Sequence, residues 1–203
     1  MSPRFIDRQL SHPTGFAGFL ICLLLNRTNA RMNAFAVQQL GIGPGDRVLE
    51  IGFGGGVTLP ALLQQAAFVA GVDRSRDVVQ RAKQRFASAV QTGRADFREG
   101  SVEALPFDDG AFQKICSVHT VYFWTSLATG CAEIHRVLAP GGRVAMGFLP
   151  KERMDRMRKT PDIFTARTPD QVCDALRTAG FVDVSIERPE PTTPWNVIVA
   201  ARS

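Results

Sequence analysis

The sequence predicts an α/β protein: a three-layer sandwich on a mostly parallel seven-stranded sheet, with an antiparallel last strand and an N-terminal helical extension. From residue 46 onward, short β-rich runs alternate with amphipathic helical segments. This pattern is typical of a parallel sheet covered by helices on both faces. The last two β-rich runs have no helix between them, so we expect them to pair antiparallel. With 45% hydrophobic and 21% charged residues, the 203-residue chain is not a disordered one.

Local signals define each element. Short β-rich runs between turn residues predict strands over 46–51, 68–72, 95–99, 112–118, 143–148, 182–188 and 195–200. Apolar residues at helical spacing predict helices over 58–66, 75–91, 127–138 and 168–179. Ser75 is expected to cap the second of these helices, and the Pro-Gly-Gly segment at 140–142 to end the third. The Lys- and Arg-rich stretch 150–167 is the least regular, and we interpret it as a mobile flap or a substrate loop.

Residues 1–42 are interpreted as a helical extension or lid, separate from a domain over 43–203. One helix is predicted on the apolar run 15–25 and a second over 29–40, with no strand between them. The apolar run is too short for a transmembrane helix, which needs about 20 apolar residues. We interpret it as a helix that packs on the main domain or covers a ligand pocket. A signal peptide and a weak contact with a membrane surface are the alternatives.

Charge and cysteine usage narrow the function classes. The formal net charge is +5, from 24 Lys and Arg against 19 Asp and Glu, and the basic residues are scattered. A scattered excess is typical of a solvated surface, so no nucleic-acid partner is expected. The four Cys residues lie far apart and form no CxxC pair. This spacing predicts no metal site, no disulfide framework and a reducing, cytoplasmic location.

A glycine-rich segment, Glu50 to Gly56, follows the first predicted strand. In an open α/β sheet, ligands bind at the carboxyl ends of the strands, and glycines there let a ligand contact the backbone. Val57 stands where the dinucleotide fingerprint needs a third glycine, and no nearby lysine supports a phosphate loop. Asp73, at the end of the second strand, can accept hydrogen bonds from a ribose diol. The loop that carries Ser101 and Val102 can wrap an adenine ring.

Five segments in order carry a family resemblance: VLEIGFGGG (48–56), GVDRS (71–75), FREGSVEALPFDDGAF (97–112), ICSVHTVYFW (115–124) and EIHRVLAPGGRVAM (133–146). Over about residues 40–203, the chain resembles the class I S-adenosylmethionine-dependent methyltransferases. It is most similar to the small-molecule branch that includes the ubiquinone and menaquinone C-methyltransferases. The resemblance implies a Rossmann-like fold, S-adenosyl-L-methionine as cofactor and S-adenosyl-L-homocysteine as product.

The resemblance also implies a role for each matching residue. Glu50 would orient the methionyl end of the cofactor, with Ser117 beside it. Gly52 and Gly54 would approach the cofactor with their backbone. The residues implied at the nucleoside end are Asp73 at the ribose hydroxyls, Arg74 flanking the adenine, and Ser101 and Val102 against the adenine.

Ser101 departs from the family pattern. Many relatives carry Asp at this position, where it accepts a hydrogen bond from the adenine amino group. Ser101 can accept the same bond but has no charge. The resemblance therefore implies a weaker contact with the adenine in this chain.

His119 and Tyr122, just past the fourth strand, are the candidate catalytic residues. Histidine can transfer a proton near neutral pH, so His119 is interpreted either as a general base or as a histidine that shapes the pocket. Tyr122 begins an aromatic run with Phe123 and Trp124. These rings can bind a planar or cationic acceptor, or they can anchor the next helix in the core.

The predicted function is methyl transfer from S-adenosylmethionine to a small-molecule acceptor. The apolar N-terminal run and the aromatic run favour an acceptor that is apolar or aromatic. No Asn/Asp-Pro-Pro-aromatic motif follows the fourth strand, and relatives that methylate adenine or glutamine nitrogens carry one. The alternatives are a non-catalytic cofactor-binding protein and a nucleic-acid methylase. We expect a monomer or homodimer whose partner is its small-molecule substrate.

Overall fold

The computed structural model describes residues 30–156 and 164–203. The helix predicted on 15–25 lies outside these residues, as does 157–163 within the predicted flap. The strands are β1 (Arg47–Ile51), β2 (Phe68–Asp73), β3 (Ala95–Glu99), β4 (Phe112–Val118), β5 (Leu138–Phe148), β6 (Phe181–Glu187) and β7 (Asn196–Arg202). The helices are α1 (Ala30–Leu40), α2 (Leu59–Gln65), α3 (Arg76–Arg85), α4 (Ala87–Gln91), α5 (Leu127–Val137), α6 (Lys151–Arg156) and α7 (Pro169–Thr178), with a 3₁₀ turn at Val121–Phe123. Within the two described ranges, no helix is both long and apolar enough to cross a membrane.

The seven strands form one sheet in the order β3-β2-β1-β4-β5-β7-β6. Strands β1 to β5 run parallel, whereas β7 pairs antiparallel with both β5 and β6. The predicted mostly parallel sheet with an antiparallel last strand is confirmed. The chain runs outward from β1 through β2 and β3, then returns to place β4 on the other side of β1. The strand order therefore reverses between β1 and β4, and at such a point an α/β sheet opens a crevice for ligands.

Helices cover both faces of the sheet, as the alternation along β1 shows. Val48 belongs to the core shared with α1, α2 and α3, whereas Leu49 belongs to the core shared with α5 and α7. Met32 and Leu40 of α1 are fully buried in the first of these cores. Helix α1 therefore packs directly on the sheet. The domain boundary drawn after residue 42 stays a prediction.

The helix predicted over 75–91 is divided at Phe86 into α3 and α4. The backbone leaves the helical region there, with φ −111° and ψ 29°. At this break the Phe86 ring packs on Phe97 of β3, and the ring centroids are 5.8 Å apart. The predicted cap is confirmed, because the Ser75 hydroxyl accepts a hydrogen bond from the Val78 N–H.

Strand β5 begins earlier than its predicted start at residue 143. Leu138 already pairs with Phe112 of β4, and the register shifts after this pair. Gly141 takes a φ of +73°, a conformation that glycine adopts without strain. The segment 140–142 is therefore an irregularity inside the strand rather than a turn before it.

Gly71, in β2, is a position where packing excludes a side chain. A Cβ there would lie 2.7 Å from Phe53 Cδ1 and 2.8 Å from Phe97 Cδ1, and both rings are buried. We expect Gly71→Ala to lower the free energy of unfolding by about 1–3 kcal/mol, because overpacking a dense core forces side chains out of their rotamers. Urea denaturation followed by circular dichroism measures the loss. Gly45→Ala is the control, since a Cβ at Gly45 meets nothing within 4 Å, and an equal loss in both variants would contradict this account.

Candidate functional site

The predicted site residues gather at the carboxyl end of the sheet. The glycine loop, Glu50 to Gly56, leaves β1, and Asp73 ends β2. Ser101 follows β3, and Ser117 and His119 lie at the end of β4. These four strands are parallel neighbours, so their carboxyl ends share one edge. The sheet therefore brings together residues that are far apart in the sequence.

The glycine loop has a backbone that other residues adopt only with strain. Gly52, Gly54 and Gly56 have φ values of 68°, 51° and 63°, in the left-handed region that favours glycine. A Cβ at Gly52 would also overlap the methyl group of Thr120. The Gly52 N–H donates to the Val72 carbonyl at 2.7 Å, which fixes the start of the loop on β2. Gly52 itself is exposed, so its backbone is accessible to a ligand.

The Asp73 carboxylate joins the glycine loop to α3. Its Oδ2 accepts a hydrogen bond from the Gly54 N–H at 3.0 Å, and its Oδ1 accepts one from the Ser75 N–H at 2.9 Å. Two backbone amides therefore set the orientation of the carboxylate. A carboxylate has about four acceptor positions, so this orientation is compatible with further hydrogen bonds from a diol.

Glu50 is a buried carboxyl group at the base of the glycine loop. Its side chain is only 6% exposed, and the Thr58 hydroxyl donates a hydrogen bond to its Oε1. Its Oε2 is buried and has no hydrogen-bond partner among the described residues. Burial raises the pKa of Glu50 from 4.5 to about 7, the Thr58 hydrogen bond opposes this, and the Asp73 charge adds to it. Because an unpartnered buried oxygen is costly, Glu50 fits a ligand that brings a hydrogen-bond donor, and best a cationic one.

Thr58 is a site residue that sequence reasoning missed. It occupies the N-cap position of α2, where a Thr hydroxyl ordinarily accepts a hydrogen bond from the first turn of the helix. Here the side chain makes no capping bond, since its hydroxyl is directed to Glu50. In the sequence, Thr58 has the position of an ordinary helix N-cap. No pattern in the neighbouring residues indicates that its hydroxyl binds Glu50, eight residues upstream.

The residues predicted at the adenine take different positions. Val102 is buried in the core, and Arg74 is exposed, with its guanidinium 3.5 Å from the Phe123 carbonyl oxygen. The Ser101 hydroxyl donates a hydrogen bond to the carboxylate of Glu103, a residue that sequence reasoning did not single out. The adenine-binding roles of these residues stay predictions.

The end of β4 carries a hydrogen-bonded His–Tyr pair. His119 has a φ of 61°, an uncommon conformation for a residue other than glycine, and its N–H donates to the Gly147 carbonyl at 2.8 Å. Its Nδ1 lies 3.2 Å from the Tyr122 hydroxyl oxygen, which also accepts a hydrogen bond from the Leu149 N–H. Burial raises the pKa of Tyr122 above its ordinary value, so the phenol keeps its proton. Tyr122 can therefore donate that proton to Nδ1, and in this arrangement the histidine proton lies on Nε2.

The aromatic run divides between the core and the site edge. Trp124 is buried, and its indole N–H donates to the Thr120 hydroxyl at 3.2 Å. Phe123 is half-buried and packs on Tyr122 and Phe164, with centroid distances of 6.2 and 5.0 Å. Thr120 also shares a hydrogen bond with the buried Ser117 hydroxyl. The geometry thus makes Trp124 an anchor and leaves ring surface at Phe123 and Phe164.

Comparison with known proteins agrees with this fold and site. Residues 49–146 match the family model of a methyltransferase domain. The uncharacterized methyltransferase YdaC of Bacillus subtilis is 30% identical over 161 residues, which cover 78% of this chain and 84% of YdaC. The ubiquinone/menaquinone biosynthesis C-methyltransferase UbiE of Geotalea daltonii is 30% identical over 115 residues, which cover 55% of this chain and 49% of UbiE. The geranyl diphosphate C-methyltransferase of Streptomyces coelicolor, solved with Mg²⁺, geranyl diphosphate and S-adenosyl-L-homocysteine, shares the fold at a TM-score of 0.71 and 18% identity, over 96% of this chain and 85% of that one.

Together the fold, the glycine loop and these matches define a class I methyltransferase that uses S-adenosylmethionine. The chain belongs to this family, and its place in the branch of the ubiquinone and menaquinone C-methyltransferases stays a prediction. The family resemblance expected from the sequence is confirmed, and so is the cofactor.

Glu50→Gln tests the buried carboxyl group. The pKa of Glu50 is raised in the folded state, so its contribution to stability is fully present below about pH 4.5 and is lost as the pH rises through about 7. We therefore expect Glu50→Gln to be more stable than the wild type at pH 8, by about 2–3 kcal/mol, with a smaller difference at pH 5. The same substitution should weaken binding of S-adenosylhomocysteine, since it removes the negative charge.

Thermal and urea unfolding between pH 5 and pH 8 measure the first effect, and calorimetry measures the second. Glu152→Gln is the matched control, because Glu152 is an exposed carboxylate on α6. A Glu50→Gln variant that is less stable than the wild type at pH 8 would show that the unliganded fold already satisfies this carboxylate.

Proposed function

We propose that this methyltransferase acts on a small acceptor molecule that is apolar or aromatic. The observation that carries the proposal is the aromatic cluster of Tyr122, Phe123 and Phe164, with ring centroids 5.0 to 6.2 Å apart. Tyr122 and Phe123 belong to the 3₁₀ turn that follows β4. Phe123 and Phe164 are only half-buried, so they can bind an apolar or planar molecule at their ring faces.

The residues at the strand ends fit S-adenosylmethionine. The unpartnered oxygen of Glu50 suits an ammonium group, which brings both hydrogen-bond donors and positive charge. The exposed backbone of Gly52 allows close approach, and Asp73 is oriented to accept from a ribose diol. When bound, the cofactor supplies a methyl group activated by the positive charge on sulfur.

The task left to the chain is alignment of the acceptor and exclusion of water. Holding two reactants in a productive geometry removes much of the entropic part of the barrier. Glu50 and Ser117, buried at the ends of β1 and β4, hold the methionyl side in this proposal. The rings of Phe123 and Phe164 hold the acceptor side. A general base adds to this only if the acceptor is a hydroxyl, a protonated amine or an acidic carbon.

His119 then serves as a hydrogen-bond donor to the acceptor, with Tyr122 as its positioning residue. The Leu149 N–H donates to the Tyr122 oxygen, and in this proposal the phenol donates to His119 Nδ1, so that the imidazole proton lies on Nε2. In this tautomer His119 donates from Nε2 and does not take a proton there. The general-base role requires the opposite tautomer, with Nδ1 as donor to a phenolic oxygen that accepts from Leu149 as well.

Asp73→Ala tests the cofactor site. We expect the wild type to bind S-adenosylhomocysteine with micromolar affinity and Asp73→Ala to lose at least about tenfold, because the ribose acceptor and the tether of the glycine loop disappear together. Isothermal titration calorimetry measures both, with NAD as the control ligand. Asp170→Ala, at an exposed carboxylate of α7, is the matched control and should bind like the wild type. A folded wild type that binds NAD and not S-adenosylhomocysteine would overturn the proposal in favour of a redox enzyme.

Phe123→Ala tests the acceptor side. A screen with a labelled methyl donor should yield products from apolar or aromatic small molecules and none from DNA or RNA. With the best acceptor, we expect Phe123→Ala to raise KM about tenfold, since a ring contact is lost, and to leave the affinity for S-adenosylhomocysteine unchanged. Phe35→Ala is the control, because Phe35 is a half-buried residue of α1 that packs on Trp195. Labelling of nucleic acid alone would contradict the proposed acceptor class.

A further inference from the structure

Arg167 lies in a short segment, 164–168, that packs on the aromatic cluster and leads directly into α7. Two backbone hydrogen bonds hold this segment. The Thr165 N–H donates to the Tyr122 carbonyl at 2.9 Å, and the Arg167 carbonyl accepts from the Lys151 N–H, also at 2.9 Å. The backbone of Arg167 is therefore fixed beside the 3₁₀ turn that follows β4.

The Arg167 guanidinium has few partners of its own. Its Nη2 donates to the Trp124 carbonyl in a long hydrogen bond of 3.4 Å. Its Nε is buried and has no hydrogen-bond partner among the described residues. The ion pairs within this part of the chain join other basic side chains to carboxylates, and none of them includes Arg167. A guanidinium has five N–H donors and a permanent charge, so the described residues satisfy only a small part of what this group offers.

Such an arrangement is unfavourable for the protein alone. Arg167 is half-buried, so water solvates its charge only in part. A buried N–H group without a partner has lost its hydrogen bond to water and has gained none in exchange. An anion with two or more oxygens would supply both the opposite charge and the acceptors, and arginine binds such groups better than lysine does.

The position of Arg167 assigns this anion to the acceptor side of the site. Phe164, in the same segment, packs on Phe123 with a centroid distance of 5.0 Å. The Trp124 carbonyl that Nη2 contacts directly follows Phe123 in the chain. The segment is bonded to elements that follow β4 and β5, whereas the glycine loop and Asp73 follow β1 and β2. The guanidinium therefore lies next to the ring faces proposed for the acceptor.

We infer that the acceptor carries an oxyanion, a carboxylate or a phosphate, beside its apolar or aromatic part, and that Arg167 binds this group. The inference rests on the proposed acceptor site. The rings of Phe123 and Phe164 bind the apolar part, and the guanidinium binds the charged end. Two different contacts fix the direction of the molecule as well as its place, which is what alignment for methyl transfer requires. The end of the Lys- and Arg-rich stretch then acts as a substrate loop.

Three probes with one ring system test this inference: 2-naphthoate, 2-naphthyl phosphate and the neutral 2-naphthamide. With the protein saturated with S-adenosylhomocysteine, we expect the wild type to bind at least one anionic probe about 10- to 100-fold more tightly than the amide. Arg167→Gln should abolish this preference. Arg167→Lys should keep part of it, because lysine keeps the charge and loses the planar fork. Equilibrium dialysis measures the three affinities, and their order shows which oxyanion the site prefers.

Arg143→Gln is the matched control. Arg143 also belongs to no ion pair of the described residues, and its Nη1 donates to a backbone carbonyl, that of Gln39, at 3.3 Å. It pairs with Lys114 near the start of β4, so it lies towards the opposite edge of the sheet. This variant should bind all three probes like the wild type.

Other roles of Arg167 would give different results. If Arg167 only holds its segment on the 3₁₀ turn, Arg167→Gln weakens the amide as much as the anions, and an unchanged preference overturns the inference. If Arg167 binds the carboxylate of the cofactor, Arg167→Gln lowers the affinity for S-adenosylhomocysteine, and this result overturns it too. Equal affinity of the wild type for the three probes overturns the inference and leaves the apolar acceptor site standing. A folded wild type that binds none of them overturns both.

Discussion

The Asp73 carboxylate connects parts of the site that the sheet only brings near one another. One oxygen holds the glycine loop after β1, and the other holds the start of α3. Parallel pairing of β1 with β2 makes this possible, since both strands end at the same edge. A loop with three left-handed glycines has many other conformations available, and this carboxylate restricts them. The Asp73 side chain thus stabilises the glycine loop and the start of α3, and its carboxylate is oriented for hydrogen bonds with a ligand.

Several features of the site make the protein less stable than it could be. Glu50 keeps an unpartnered oxygen in a buried position, and Thr58 gives up the capping of α2 in order to bind it. His119 occupies a backbone region that suits glycine better. Each of these features departs from what is locally most stable: a paired buried oxygen, a capped helix and a negative φ. All three lie at the carboxyl edge of the sheet. Local rules fail together in this way where a site is built for a ligand.

Sequence reasoning succeeds here where local patterns decide the structure. The bounds predicted for β3 and β4, 95–99 and 112–118, agree with the observed strands, because each is a short run bounded by turn residues. The mostly parallel sheet with its antiparallel last strand is also as predicted, and the glycine loop follows β1. The contact of Thr58 with Glu50 could not be predicted, because it depends on how α2 leaves the loop. The Ser101–Glu103 bond depends on the turn that buries Val102, and the early start of β5 depends on a pairing across the sheet.

Phe53 lies within the glycine loop, yet its ring is buried and packs on Phe97 of β3 at a centroid distance of 5.5 Å. The loop is therefore ordered before any ligand arrives, and binding needs little further loss of conformational freedom. Because of this contact, the conformation of the glycine loop depends on the stability of β2 and β3. Local unfolding of β2 and β3 would therefore release the loop even if the other strands stayed paired. In this protein, the hold on the cofactor therefore depends on the local stability of β2 and β3.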